Sequence, residues 1–365
     1  MNIGKPVRLV AINLVILVGA FLAILFVVSL AQDLWRVTGK AWLDEGDRRY
    51  ESPAYEDAER ARRILEDQQD TDYIYRPFVA WRQKPIQRAT LHVGDDGNRR
   101  HKAGTANRPD ARTLGMFGGS TMWGTGVDDD NTIAAIFDQI TDGFVVTNYG
   151  ERGHTSRQNL AELINLINTG QMPRIVVFYS GYNDVWAHCN YAVTESLNGH
   201  MEERKIRSAV EERRADGHLY RNFVLPMLKL LPGGGGGNRY ACDSDQARAE
   251  AVADMMVETW SMARDLVEAR GGEFHLFLQP NAYVGKPNVS YIDFGGRRAG
   301  RDEQFDAVYP LVQRKLAQRE AQWAHDLSNA FDGDKPIYID DAHVAAPGNR
   351  IIAEAMRDAI AVSGR

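Results

Sequence analysis

From Thr113 to the C-terminus, short runs rich in β-branched and aromatic residues alternate with stretches of helical period, and this alternation limits the fold more than any other feature. TLGMFGG precedes a helix expected over 131–141, and FVVTNYG precedes one over 156–168. RIVVFYSG is followed by a long variable region and a helix over 244–270. EFHLFLQP then leads to a helix over 302–329, and PIYIDD to a closing helix over 347–362. Strands separated by helices build a parallel sheet covered on both faces, so the expected class is α/β, doubly wound, with roughly five central strands. In such sheets the chemistry gathers at the carboxyl ends of the strands.

The first run closes on Gly118-Gly119-Ser120, and a sharp glycine turn exposes the side chain that follows it. A phosphate loop needs a lysine and then Ser or Thr after its glycines, where this chain has Met122 and Trp123. The G-x-S-x-G pattern is absent as well, because Met122 stands at its second glycine. The second run leads into NYGERGHTS, where Gly153 precedes a helix capped by Thr155 or Ser156 and can turn its N–H toward a cleft. The third ends in SGYNDVW, and the Asn183 amide is an oxyanion donor unless Asn183 or Asp184 merely closes an Asx turn. The last run is expected to end at Ile339 and to deliver Asp340-Asp341-Ala342-His343, a carboxylate and an imidazole three residues apart.

Each of these is an ordinary turn when taken alone. Their occurrence in order at successive strand ends assigns Ser120 as nucleophile, His343 as base and then acid, and Asp340 as the group that orients the ring. The N–H groups of Ser120 and Gly153 and the amide of Asn183 form the expected oxyanion hole. His154 and His188 are weaker competitors for the base, and Trp123, Tyr182 and Trp186 read as rim or core aromatics before they read as a sugar platform.

The four blocks FGGST, NYGERGHTS, GYND and DDAH resemble those of the SGNH hydrolases, also called the GDSL esterase and lipase family, with Gly119 in place of the family's Asp. The resemblance covers Thr113 to the C-terminus. It implies a three-layer α/β/α sandwich of flavodoxin-like type and serine-dependent hydrolysis of acyl esters without metal or cofactor. Membrane-tethered proteins of this kind act on acyl groups of surface glycans or lipids, some of them as O-acyltransferases. A non-catalytic anchored binding protein is the reading from a different class.

The 23 residues over 9–31, LVAINLVILVGAFLAILFVVSLA, carry no charge and are long enough to cross a bilayer. They are expected to be a retained transmembrane helix rather than a cleaved signal peptide, with 1–8 in the cytoplasm, 32–112 as stalk and embellishment, and 113–365 as the hydrolase domain. That places the catalytic domain outside the cytoplasmic membrane. The formal charge of -6 arises without a basic block, which argues against a nucleic-acid partner. Cys189 and Cys242 lack metal-site spacing and are either two buried thiols or one disulfide. The run Gly233 to Gly237 reads as a flexible surface loop.

Overall fold

The computed structural model describes residues 4–34, 47–102, 110–191, 196–197, 240–294 and 300–363. The Gly233–Gly237 run and most of the variable region lie outside them. Two compact units are present, Met1–Gly46 with Lys205–Gly237, and Asp47–Arg204 with Asn238–Arg365. In the first, helix α1 (Gly4–Leu34) exposes Leu9, Val15, Leu17 and Val27. Among the described residues no helix is long and apolar enough to cross a membrane. The span expected over 9–31 is therefore not supported by the structure, although α1 covers it and several of its side chains lie outside the described set.

The second unit begins with a 3₁₀ turn at Arg48–Glu51 and helix α2 (Ala58–Asp67), whose N-cap Asp57 accepts the Arg60 N–H. The aromatic stretch after it folds into an antiparallel hairpin of β1 (Tyr73–Arg76) and β2 (Ala80–Gln83). A second small pair, β3 (Ile86–Gln87) and β4 (His92–Val93), reaches the main sheet through the bridges Val93 to Arg99 and Arg99 to Asn148.

Next come β5 (Arg112–Gly118), the single helical turn α3 (Ser120–Trp123) and α4 (Ile133–Ile140), then β6 (Phe144–Asn148) and α5 (Ser156–Asn168). Thr132 caps α4 by accepting from Ala135, and the Thr155 N–H at the start of α5 donates to Gln158 Oε1 at 3.1 Å. After β7 (Ile175–Ser180) and α6 (Tyr182–His188) follow α7 (Gln246–Glu268), β8 (Glu273–Leu278) and the two-residue β9 (Pro287–Asn288). The chain closes with α8 (Asp302–Gln318), β10 (Ala324–Asp326), β11 (Gly333–Pro336) and α9 (Ala346–Ser363).

The main sheet has five parallel strands in the order β6-β5-β7-β8-β10, as expected of a doubly wound α/β chain. Alternate residues of each strand feed opposite cores. Phe117, Phe178 and Leu276 pack with Leu163 of α5, Trp260 of α7 and Val308 of α8. On the other face Met116, Val177 and Phe277 pack with Phe137 of α4 and Met356 of α9.

One strand assignment changes. PIYIDD does not supply the fifth strand, and the helix expected to reach residue 329 ends at Gln318. Glu320 adopts a left-handed φ of 48°, which an α-helix cannot continue through, and Ala324–Asp326 then pairs with Leu276–Leu278. Ile337, Tyr338 and Ile339 are buried, so their apolar pattern reports packing rather than membership of the sheet. Tyr338 instead bridges Val344, and Ile339 N–H donates to His343 C=O at 2.9 Å, which closes a tight loop around Asp340-Asp341-Ala342.

Cys189 and Cys242 form a disulfide with Cα atoms 5.2 Å apart and a sequence separation of 53. On the loop-closure account a bridge of that span contributes about 4 kcal/mol. Urea unfolding of the full chain with and without reductant is expected to show a loss of that size, and superimposable curves would remove the bridge from the stability of the fold.

Candidate active site

Ser120 stands where β5 turns into α3. A Cβ on Gly118 would lie 2.7 Å from both Met122 Cβ and the Tyr179 C=O, so the strand can close on its neighbour only with glycine there. Gly119 holds extended backbone at φ -85°, and a Cβ on it would meet Asn183 Nδ2 at 2.3 Å. The missing Asp of the family block is thus replaced by space that the Asn183 amide occupies.

The Ser120 Oγ lies 2.7 Å from His343 Nε2, and His343 Nδ1 lies 2.7 Å from Asp340 Oδ2 and 2.9 Å from Oδ1. Asp340 Oδ1 also accepts the backbone N–H groups of Ala342 (3.0 Å) and His343 (2.8 Å), so the loop that carries the ring also orients the carboxylate. Burial would push the Asp340 carboxyl up, but the facing His343 ring and the Arg49 guanidinium outweigh it and hold the group well below the usual carboxylate range.

Gly153 has a left-handed φ of 75° in the turn that His154 N–H closes on Glu151 C=O. Glu151 N–H in turn donates to Gly118 C=O at 3.1 Å, which ties this loop to the end of β5. Asn183 lies in the first turn of α6, and its Nδ2 donates to His154 C=O at 2.8 Å. An amide nitrogen has two hydrogens, so one fixes the side chain and the other remains for a ligand. Ser120, His343 and Asp340 are thus linked in one line, and Asn183 stands beside Gly119 and is tied through His154 C=O to the turn that holds Gly153.

The competing histidines are engaged elsewhere. Glu151 stands three residues before His154, the same spacing as Asp340 and His343, yet its carboxylate accepts from Gln83 and Arg152 N–H groups, while His154 Nε2 contacts Trp81 C=O at 3.1 Å. His188 is buried, with Nδ1 2.7 Å from Asp184 C=O. Trp123 is fully buried between the guanidinium groups of Arg99 and Arg152, at 4.7 and 3.9 Å, and is a core residue. Tyr182 is buried with its hydroxyl on Asp341 at 2.8 Å, and Trp186 is partly buried beneath Arg301. Among the described residues no group of three or more His, Cys, Asp or Glu is placed to hold a metal ion.

Two arrangements carry no local sequence signal. Arg49 Nη1 donates to Asp340 Oδ2 at 2.7 Å across 291 residues of chain. Asp184 accepts from Ser156 N–H (2.9 Å) and Oγ–H (2.8 Å), and Trp260 Nε1 donates to that Oγ at 2.7 Å, which locks α5, α6 and α7 together behind the site. Burial pushes the Asp184 carboxyl up to about 6, against the lowering effect of its hydrogen bonds to Ser156. An acid whose folded pKa is raised favours the fold while protonated and loses that contribution as pH rises between its unfolded and folded values. Between pH about 4 and about 6 the group is expected to cost the fold about 3 kcal/mol, a slope that Asp184→Asn removes. Urea unfolding of both proteins across that window checks it: parallel stability curves would contradict the assignment.

The first three of the four sequence blocks that resemble those of the SGNH hydrolases thus follow β5, β6 and β7 of one parallel sheet, and the fourth brings His343 to Ser120. No family model matches the chain, and no curated protein does. Solved structures are similar at a distance. A carbohydrate acetylesterase family member from Sinorhizobium meliloti has 15% identity and a TM-score of 0.39, over 68% of this chain and 97% of that one. A lipolytic G-D-S-L family protein from Veillonella parvula has 13% identity and a TM-score of 0.38, over 68% and 97%. A GDSL-like lipase from Bacteroides thetaiotaomicron has 16% identity and a TM-score of 0.38, over 69% and 89%.

Proposed function

We propose that the chain is a serine esterase that removes short acyl groups, O-acetyl first among them, from glycans or lipids of the cell envelope. The observation that supports this reading is the unbroken line from Ser120 Oγ to His343 Nε2 and from His343 Nδ1 to Asp340, each step at 2.7 Å. In the reaction Ser120 Oγ attacks the ester carbonyl carbon and His343 Nε2 takes its proton. The negative oxygen of the tetrahedral intermediate is held by the N–H groups of Ser120 and Gly153 and the Asn183 amide. His343 returns the proton to the leaving alkoxide, and water then releases the acyl group from Ser120 by the same steps.

The same reading makes 9–31 a membrane anchor and puts the catalytic unit outside the cytoplasm, on the uncharged length of that segment and on the Cys189 to Cys242 bridge, which suits an oxidising compartment. The test is a fluorophosphonate applied to the full chain, with the modified residue located by mass spectrometry. Labelling of Ser120 that is lost in His343→Ala supports the assignment, and folded protein that stays unlabelled overturns it. If acetyl leaves a donor ester only when a sugar hydroxyl is present to receive it, the same serine serves acyl transfer rather than hydrolysis.

A further inference from the structure

Asp340 has a partner that a Ser-His-Asp line does not require. Its Oδ2 lies 2.7 Å from His343 Nδ1 and also accepts Arg49 Nη1 at 2.7 Å, so ring and guanidinium share one oxygen. Arg49 is fixed in turn by Asp47, which accepts from its Nε at 2.9 Å and its Nη2 at 2.6 Å. The guanidinium spans two carboxylates as a rigid fork, a geometry that lysine lacks. The side chains of Arg49, Asp47 and Asp340 are 31, 18 and 13% exposed, so solvent screens the cluster only in part. Its segment is pinned on either side of the site, since Ser52 Oγ donates to Tyr338 C=O at 3.2 Å and Tyr55 OH to Gly126 C=O at 2.8 Å.

We propose that Arg49 is a positioning residue of the catalytic line, holding the Asp340 carboxylate in register with His343 while drawing off part of its negative charge. This rests on the hydrolase reading of the same site. A carboxylate already committed to a guanidinium stabilises a charged imidazole less. Removing Arg49 leaves the whole of that charge facing the ring. The other groups that act on the cluster are Asp47, Tyr55 and Arg152, with Asp341 next along the loop but engaged by Tyr182, Tyr283 and Arg301.

The experiment uses full-length protein with Arg49→Met, which keeps the stem and removes charge and fork, and Arg49→Lys, which keeps charge alone. Two readouts are taken: kcat and kcat/KM against pH on a short activated ester, and the pH titration of the far-downfield proton NMR signal of the His343 Nδ1–H. Arg49→Met is expected to move the acid limb of kcat/KM upward by about one pH unit and to lower kcat about tenfold, with the NMR midpoint moving the same way. Arg49→Lys is expected to lower kcat about threefold with the limb in place. A folded Arg49→Met protein with wild-type limb and NMR midpoint overturns the proposal. Should that variant not fold, unchanged kcat in Arg49→Lys overturns it instead. Wild-type protein without Ser120-dependent hydrolysis defeats the hydrolase reading alone, because the NMR titration still reports what Arg49 does to the ring.

Discussion

Replacing Ser120 by alanine is expected to lower kcat for a short activated ester by a factor on the order of 10⁴ or more. This hydroxyl lies 2.7 Å from His343 Nε2, in a ring whose other nitrogen is already held by a carboxylate. Alanine removes the atom that forms the new bond and leaves the oxyanion donors, which by themselves sustain only residual turnover. His343→Ala should cost a similar factor. The double variant should cost no more than the worse single one, because nucleophile and base act as a unit. Turnover of Ser120→Ala within tenfold of wild type would remove Ser120 from the chemistry.

The second large effect is expected at Gly119, a residue with no side chain to react. A methyl group there would stand 2.3 Å from Asn183 Nδ2, well inside contact distance, and the amide must move. Asn183→Ala is expected to lower kcat by about 10²- to 10³-fold through loss of one oxyanion donor. Gly119→Ala should approach that loss by displacing the same donor, and Gly119→Asp should at least equal it. If both act through one amide, Gly119→Ala with Asn183→Ala should cost little more than Asn183→Ala alone, whereas independent effects would multiply. Fully multiplicative losses in steady-state kinetics would show that Gly119 acts by another route.

Ser120, Gly153 and Asn183 could be picked out because each follows a strand with a plain apolar run and a glycine near its end, and Asp340 and His343 because they form a close acid-base pair. Where reading failed, burial imitated pairing. Ile337, Tyr338 and Ile339 have a strand-like pattern but pack beneath the loop that carries Asp340, while Ala324–Asp326 enters the sheet with an alanine, a histidine and an aspartate that signal nothing. The loop still delivers Asp340 and His343 to Ser120, so the site survived an error in the strand that was expected to carry it. Arg49 was invisible for another reason. Its partner is 291 residues away, and one arginine in a polar segment has no periodicity to betray it. The Asp184, Ser156 and Trp260 network is likewise set by how three helices meet, which no local pattern encodes.

The bridge between Cys189 and Cys242 has a consequence for how a chain like this changes over generations. With the two Cα atoms 5.2 Å apart and Asn190 paired with Tyr240, the chain on either side of the intervening segment meets at one place. Its ends are defined without reference to its contents. The bridge therefore holds the end of α6 beside the approach to α7, so a change of sequence between the two cysteines leaves that junction in place.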